Sequence, residues 1–248
     1  MTAPAGYLIT DPQPKLRGPI SYEEAARVMD QADAEAELER AALAARDAVA
    51  AQDAQAEYTS NLQAAAAAVG DLLAAFNIDE GDHTADTPNR VAKAWTTMLK
   101  GYGEDPSIHL EKTFSAPNEP GPVIVSGIRL ISTCAHHLLP FTGYATVAYR
   151  AAPGQNVVGL SKLARLVDGY ARRLQVQERI GDQIVSALVD KLNPMWACVI
   201  ITASHQCMTI RGVQEANAET TTRSVRGALI GDDLAVVTAA HRDSLRKG

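Results

Sequence analysis

The chain has 248 residues, 46% of them hydrophobic and 5% aromatic, with a formal net charge of -6. That length and apolar content allow one large domain with an appendage and a sizeable core. The acidic balance argues against a general nucleic-acid binder and leaves room for an anionic small molecule held by local positive charge.

Three cysteines, Cys134, Cys198 and Cys207, are too few for a disulfide framework and fit a reducing cytoplasm. The N-terminal residues lack a basic segment followed by a long apolar run, and no stretch is apolar enough to span a bilayer. The expectation is a cytoplasmic protein with neither membrane nor nucleic acid as a partner.

Residues 1–20 carry prolines at 4, 12, 14 and 19 and read as irregular. Ser21-Tyr22-Glu23-Glu24 reads as a capping box. It opens a helix rich in Ala, Glu, Asp, Arg and Gln that runs to about Tyr58. With few large apolar residues to bury, it is either a solvated extension or an arm packing on another subunit. Residues 1–60 therefore form a helical N-terminal extension, set apart from a domain over 61–248. Asn61 caps a second helix, with Leu62, Val69, Leu72, Leu73 and Phe76 near one face. A turn region follows over 79–86. Thr87-Pro88 starts a third helix, proline being tolerated in a first turn, and 101–122 is loop-rich.

Strands are expected at 123–131 and 143–150, with a short apolar run at 156–160. Ser161 opens a helix to about Leu174. A Gln-rich break separates it from another helix over 178–192. Trp196–Ala203 and His205–Arg211 read as strands bent at Ser204, Thr220–Thr222 as extended, and Leu234–Arg246 as a last helix. Helices first, over 61–100, and then strands broken by a helix pair, over 120–248, predict an α+β domain with an antiparallel sheet.

The stretch STCAHHLLPF at 132–141 sets Cys134, His136 and His137 ahead of an apolar segment. SHQCMTIRGVQ at 204–214, read as a strand, places His205, Cys207, Thr209 and Arg211 on one face. Cys134, His137 and Cys207 are three ligands of the kind zinc prefers. Two thiolates and one imidazole leave a fourth tetrahedral position open, which is the pattern of a catalytic site. Zinc with an open position lowers the pKa of a bound water to about 7. His136 and His205 are then free to move protons. Cys198 reads as packing, and His83, His109 and His241 as surface or core.

Lys162 and Arg165 lie three apart at a helix start, where Ser161 and free backbone N–H groups suit an anion. Taken alone these charges read as a solvated face. With Arg211 and Arg90 they suggest a polyphosphate pocket. In the polar stretch Gln175–Arg179, a buried carboxylate with an amide beside it could accept from a guanine N1–H and its exocyclic amine, which periodicity by itself does not show.

Four segments carry a resemblance: TPNRVAKAW at 87–95, STCAHHLLPFTG at 132–143, VVGLSKLARLVDGYARRLQVQERIGDQI at 157–184 and SHQCMTIRGVQ at 204–214. In order and spacing they resemble the GTP cyclohydrolase I family, over about 61–248. The resemblance implies the tunnelling fold, an antiparallel sheet with helices packed on one side and subunits joined into a barrel ring. It also implies a homodecamer with active sites at subunit interfaces. The implied reaction converts GTP to 7,8-dihydroneopterin triphosphate, with C8 leaving as formate. By resemblance, Cys134, His137 and Cys207 hold Zn2+. His136 stands near N7, and His205 handles protons around ring opening. Glu178 and Gln177 hold the guanine edge, while Ser161, Lys162, Arg165 and Arg211 meet the ribose and triphosphate. Arg90 reaches the triphosphate from a neighbouring subunit.

One departure stands out. The family usually reads C-E-H-H, and here Ala135 takes the place of the glutamate. A zinc- and GTP-binding homologue with impaired catalysis, or a related tunnelling-fold enzyme acting on another purine or pterin, is the alternative. The product feeds folate, biopterin or 7-deazaguanine synthesis alike.

Overall fold

The computed structural model describes residues 22–78 and 81–246. The irregular stretch expected over 1–20 lies outside them. The chain divides into two compact units, Met1–Ala64 and Ala65–Gly248.

Helix α1 runs without interruption over Tyr22–Ala75. The new helix expected at Asn61 does not exist. Ala, Glu, Gln and Leu dominate around it and no proline falls within the helix, so Asn61 lacks the partners that would turn it into a start signal. Leu38, Leu43, Val49 and Tyr58 are exposed. The helix ends where Asn77 adopts φ +54 and the Ile78 N–H bonds Leu73 O at 3.0 Å, a left-handed closure that asparagine tolerates.

Helix α2 spans Thr87–Met98 with Pro88 in its first turn. Short 3-10 turns follow at Lys100–Tyr102 and Pro106–Leu110. Strand β1, Thr113–Ser115, lies inside the stretch expected to be loop and pairs antiparallel with β4, Asn156–Val158.

The main sheet comprises β2 (Val123–Cys134), β3 (Pro140–Arg150), β5 (Leu174–Gln175), β6 (Trp196–His205) and β7 (Glu219–Gly227), in the order β5-β2-β3-β6-β7. It is antiparallel except where β5 runs parallel to β2. Helices α3 (Leu160–Ala171) and α4 (Gln177–Leu192) cover one face. There Ala197, Val199, Ile201 and Ala203 meet Leu163, Leu166, Ile180 and Ile184 in one buried cluster.

The expectation of helices on one side only is corrected by α6, Asp233–Leu245. Its Val237 is buried with Ala148, Trp196, Cys198 and Ile200 on the opposite face. The cause lies in β6. Both sets of alternating side chains from Trp196 to Ala203 are buried, and a strand apolar on both faces needs cover on both.

Two polar anchors fix α6. Asp233 accepts from Arg150 Nη2 at 2.7 Å and from Trp196 Nε1 at 2.8 Å. His241 bridges Thr146 Oγ1 at 2.8 Å and Thr202 Oγ1 at 2.9 Å. His241 is thus a satisfied core histidine, in line with the sequence reading.

A candidate metal centre where two strands end

β2 ends at Cys134. The chain then reverses through Ala135–Leu139 into β3. Two backbone bonds close this turn, Leu138 N–H to Cys134 O at 2.9 Å and Cys134 N–H to Leu139 O at 2.8 Å. Leu138 sits at φ +58, a conformation uncommon for a bulky residue and often found at functional turns. The Ala135 N–H donates to Gln175 O at 2.9 Å, tying the turn to β5. His136 and His137 therefore stand at a closed, strapped corner.

The second half arrives on β6. Its last ladder pairs are Ser204 with Glu219 of β7 and His205 with Phe141 of β3. Beyond these residues neither neighbour offers a partner. The chain curls into the helical turn α5, Gln206–Thr209, with Ile210 N–H bonded to Gln206 O at 3.1 Å. The strand expected over His205–Arg211 is corrected accordingly. This curl, not the side-chain alternation of a strand, turns Cys207 toward Cys134.

One ligand atom each from Cys134, His137 and Cys207 lies within 4.8 Å of the others. Cys134 Sγ and His137 Nδ1 are 3.9 Å apart. Tetrahedral zinc with its usual bond lengths separates such atoms by roughly 3.5–3.8 Å, so the donor set and spacing fit the ion with small adjustment. Burial first, and then the adjacent Cys134 thiol, pushes the Cys207 pKa up; a bound cation reverses that tendency.

His205 lies beside this cluster. Its ring stacks on Phe141, with centroids 4.4 Å apart and planes 6° from parallel. Its Nε2 is 2.8 Å from Gln177 Oε1. Burial lowers the His205 pKa, opposed in part by the Glu178 carboxylate. His136 is exposed, its Nδ1 3.9 Å from Cys134 Sγ and its ring edge-on to that of His137. Arg211 Nη1 lies 3.0 Å from His137 Nε2.

The structure therefore brings together Cys134, His136, His137, Gln177, His205, Cys207 and Arg211, with Glu178 exposed at the first turn of α4. Ser161 and Lys162 occupy the first turn of α3. Arg165 lines a small cleft with Lys100, His109 and Asp168. Arg90 pairs with Asp86 at 3.1 Å. None of these four makes a side-chain hydrogen bond or ion pair to the Cys/His cluster among the described residues. Phe141 was not singled out by the sequence, where it reads as ordinary core; only the register with His205 shows its place under the ring.

An α+β sheet domain with a three-ligand Cys2His corner defines a candidate mononuclear metalloprotein. Residues 65–240 match the family model described as GTP cyclohydrolase I, and the chain belongs to that family. It is 53% identical over 142 residues to a GTP cyclohydrolase 1 of Desulforamulus reducens, covering 57% of this chain and 75% of the relative. A GTP cyclohydrolase 1 of Carboxydothermus hydrogenoformans is 50% identical over 142 residues, 57% of this chain and 73% of the relative. One of Corynebacterium glutamicum is 46% identical over 164 residues, 66% of this chain and 83% of the relative. No described helix is long and apolar enough to cross a membrane.

Proposed function

We propose that the protein opens the imidazole ring of GTP hydrolytically, releases C8 as formate and yields 7,8-dihydroneopterin triphosphate for pterin or 7-deazaguanine synthesis. The observation that supports this most is the convergence of Cys134, His137 and Cys207 within 4.8 Å at the junction of two strand ends, in a chain of the GTP cyclohydrolase I family.

On this reading Cys134, His137 and Cys207 hold Zn2+. When bound, the ion supplies the Lewis acidity that activates water for attack on a weakly electrophilic carbon. The chain's own groups do the rest. Glu178 accepts from the guanine N1–H and exocyclic amine and orients the base. His136 delivers a proton toward N7, so that C8 becomes a better electrophile. His205, whose pKa burial lowers, moves a proton during ribose opening. Ser161 meets the ribose, and Lys162, Arg165 and Arg211 neutralise the triphosphate. Arg90, whose side chain makes no hydrogen bond or ion pair to the cluster among the described residues, acts from a neighbouring subunit of a ring-shaped oligomer, a homodecamer. Residues 61–248 carry this chemistry and residues 1–60 form an extension outside it.

The test is an assay of the zinc-loaded protein with GTP. Formate and, after oxidation, fluorescent neopterin are expected, both abolished in Cys207→Ala. GTP binding without formate would replace this reading by that of a nucleotide-binding homologue that has lost the chemistry.

A further inference from the structure

Gln177 is the residue whose placement departs furthest from its expected role. It is 2% exposed, although it opens a helix beside the candidate site. Its Nε2 faces three acceptors: Ile201 O at 3.0 Å, Thr220 O at 2.9 Å and Thr222 Oγ1 at 3.1 Å. An amide nitrogen has two hydrogens and no acceptor capacity. Its donors are therefore spent on β6 and β7, and nothing remains to donate to a nucleobase.

The same three contacts fix which way the amide points. Flipping it would set its carbonyl oxygen against two backbone carbonyl oxygens. Oε1 must therefore be the atom that meets His205 Nε2 at 2.8 Å. A carbonyl oxygen only accepts, so Nε2 carries the hydrogen and donates. In the neutral ring Nδ1 is then the nitrogen with the free lone pair. Phe141 fixes the plane of the same ring from below.

The close approach that makes this possible is built into α4. Gly181 lies one turn after Gln177, and a Cβ there would come within 2.6 Å of Ser224 Oγ on β7. Glycine lets the helix settle against β7 near enough for the Gln177 amide to reach two strands.

We propose that Gln177 is a positioning residue for His205, setting its tautomer and ring orientation so that Nδ1 faces the chemistry, and that it does not hold the guanine edge. This rests on the reading of His205 as the group that moves protons during ribose opening. The guanine edge is left to the Glu178 side chain. The logic is that of any acid–base histidine whose second nitrogen is held by a hydrogen bond.

The experiment is a kinetic cycle on the full-length zinc-loaded protein with Gln177→Met, His205→Ala and the double variant. Gln177→Met should lower kcat roughly 10- to 100-fold with KM for GTP changed less than about two-fold. In the His205→Ala background the same substitution should slow the enzyme by less than about two-fold, because a residue that acts through His205 has nothing left to position. A rise in KM in both backgrounds, or an altered preference between GTP and inosine triphosphate, would place Gln177 on the base and overturn the proposal.

Should Gln177→Met fail to fold, the parental protein still decides the matter. Magic-angle-spinning spectra of 15N-histidine-labelled protein, with the His205 signal assigned by its loss in His205→Ala, should show Nε2–H and an unprotonated Nδ1. The opposite tautomer would overturn the proposal. A parental protein that releases no formate would instead sink the functional reading, and the tautomer measurement would stand apart from it.

Discussion

Arg211 Nη1 lies 3.0 Å from His137 Nε2, and this contact is incompatible with a metal on the same ring. Guanidinium only donates, so Nε2 accepts and the ring hydrogen resides on Nδ1, the nitrogen that faces Cys134 Sγ. A metal at Nδ1 needs that lone pair, which moves the hydrogen to Nε2 and turns the Arg211 contact into a clash of two donors. A metal held at Nδ1 would therefore displace Arg211 from the ring and leave its guanidinium available to an anion. Inorganic triphosphate should bind the zinc-loaded protein several-fold more tightly than the metal-free protein, with retained zinc checked by metal analysis. In Arg211→Ala this ratio should shrink toward one. An undiminished ratio would show that the metal, not the freed arginine, attracts the anion.

Ala135 is exposed, and its backbone N–H is tied to Gln175 O at 2.9 Å. A larger side chain at this position points into open space and leaves the strap intact. A carboxylate there stands between Cys134 and His136 in sequence and is able to orient a neighbouring histidine or raise its basicity. Ala135→Glu should raise turnover of GTP at unchanged zinc content. Unchanged turnover would show that the position is unimportant to this chain.

Cys207 and Cys198 should behave differently. Cys207 is half-buried, Cys134 is buried, and Cys198 is buried with its pKa pushed up to about 11 by desolvation. In the native metal-free protein a disulfide reagent should modify Cys207 first, zinc should block it, and Cys198 should react only after unfolding. Because a metal displaces both ligand protons, zinc affinity between pH 7 and 8 should climb by up to about 100-fold per pH unit. Cys207→Ala should cut that slope to about 10-fold. An identical slope in the variant would remove Cys207 from the ligand set.

The candidate ligand set was readable because its chemistry is local: C-x-x-H beside a turn, and a second cysteine among polar residues. The backbone that delivers it was not. His205, Cys207, Thr209 and Arg211 alternate as a strand should, yet β6 stops at His205 because both neighbouring strands have run out of partners there. Strand length is set by the ladder and not by one strand's own sequence. The same limit hid α6. Nothing in DLAVVTAAHRDSL says which face of the sheet it covers, whereas the two-sided burial of β6 requires it. Asn61 misled for the opposite reason, since a capping residue signals a helix start only where the preceding chain is able to leave the helix. At Gln177 the sequence shows the residue type and not the three acceptors within reach of its amide nitrogen.

The N-terminal sixty residues should be dispensable for the chemistry. The second compact unit begins at Ala65, as does the family match, and Leu38, Leu43, Val49 and Tyr58 of α1 are exposed. A chain starting at Asn61 should keep zinc and formate release within about two-fold of the full length, because loss of exposed surface residues away from such features costs little. Sizing chromatography is the check. Collapse of an oligomer on truncation would show that the extension acts as an arm between subunits.

Stability should fall in mild acid, and His241 should carry part of the fall. Its imidazole is 5% exposed, bridged by Thr146 and Thr202, and burial lowers its pKa. A depressed folded-state pKa means that the unfolded chain binds the proton more readily. Between the folded value and the ordinary value near 6.5, unfolding takes up a proton, so stability rises with pH across that window. The contribution is complete above about pH 7 and is lost as pH falls through the folded value. His205 shifts in the same direction through burial and adds to the effect. Thermal midpoints measured from pH 7.5 down to pH 5 should therefore decline, and His241→Gln should flatten the decline without abolishing it, since His205 remains. The amide is able to donate to one threonine and accept from the other, so the variant should lose less stability at pH 7.5 than His241→Leu, which leaves both hydroxyls buried without that partner. A parental midpoint that does not move between pH 7.5 and 5 would mean that the bridge holds equally well with the imidazole charged.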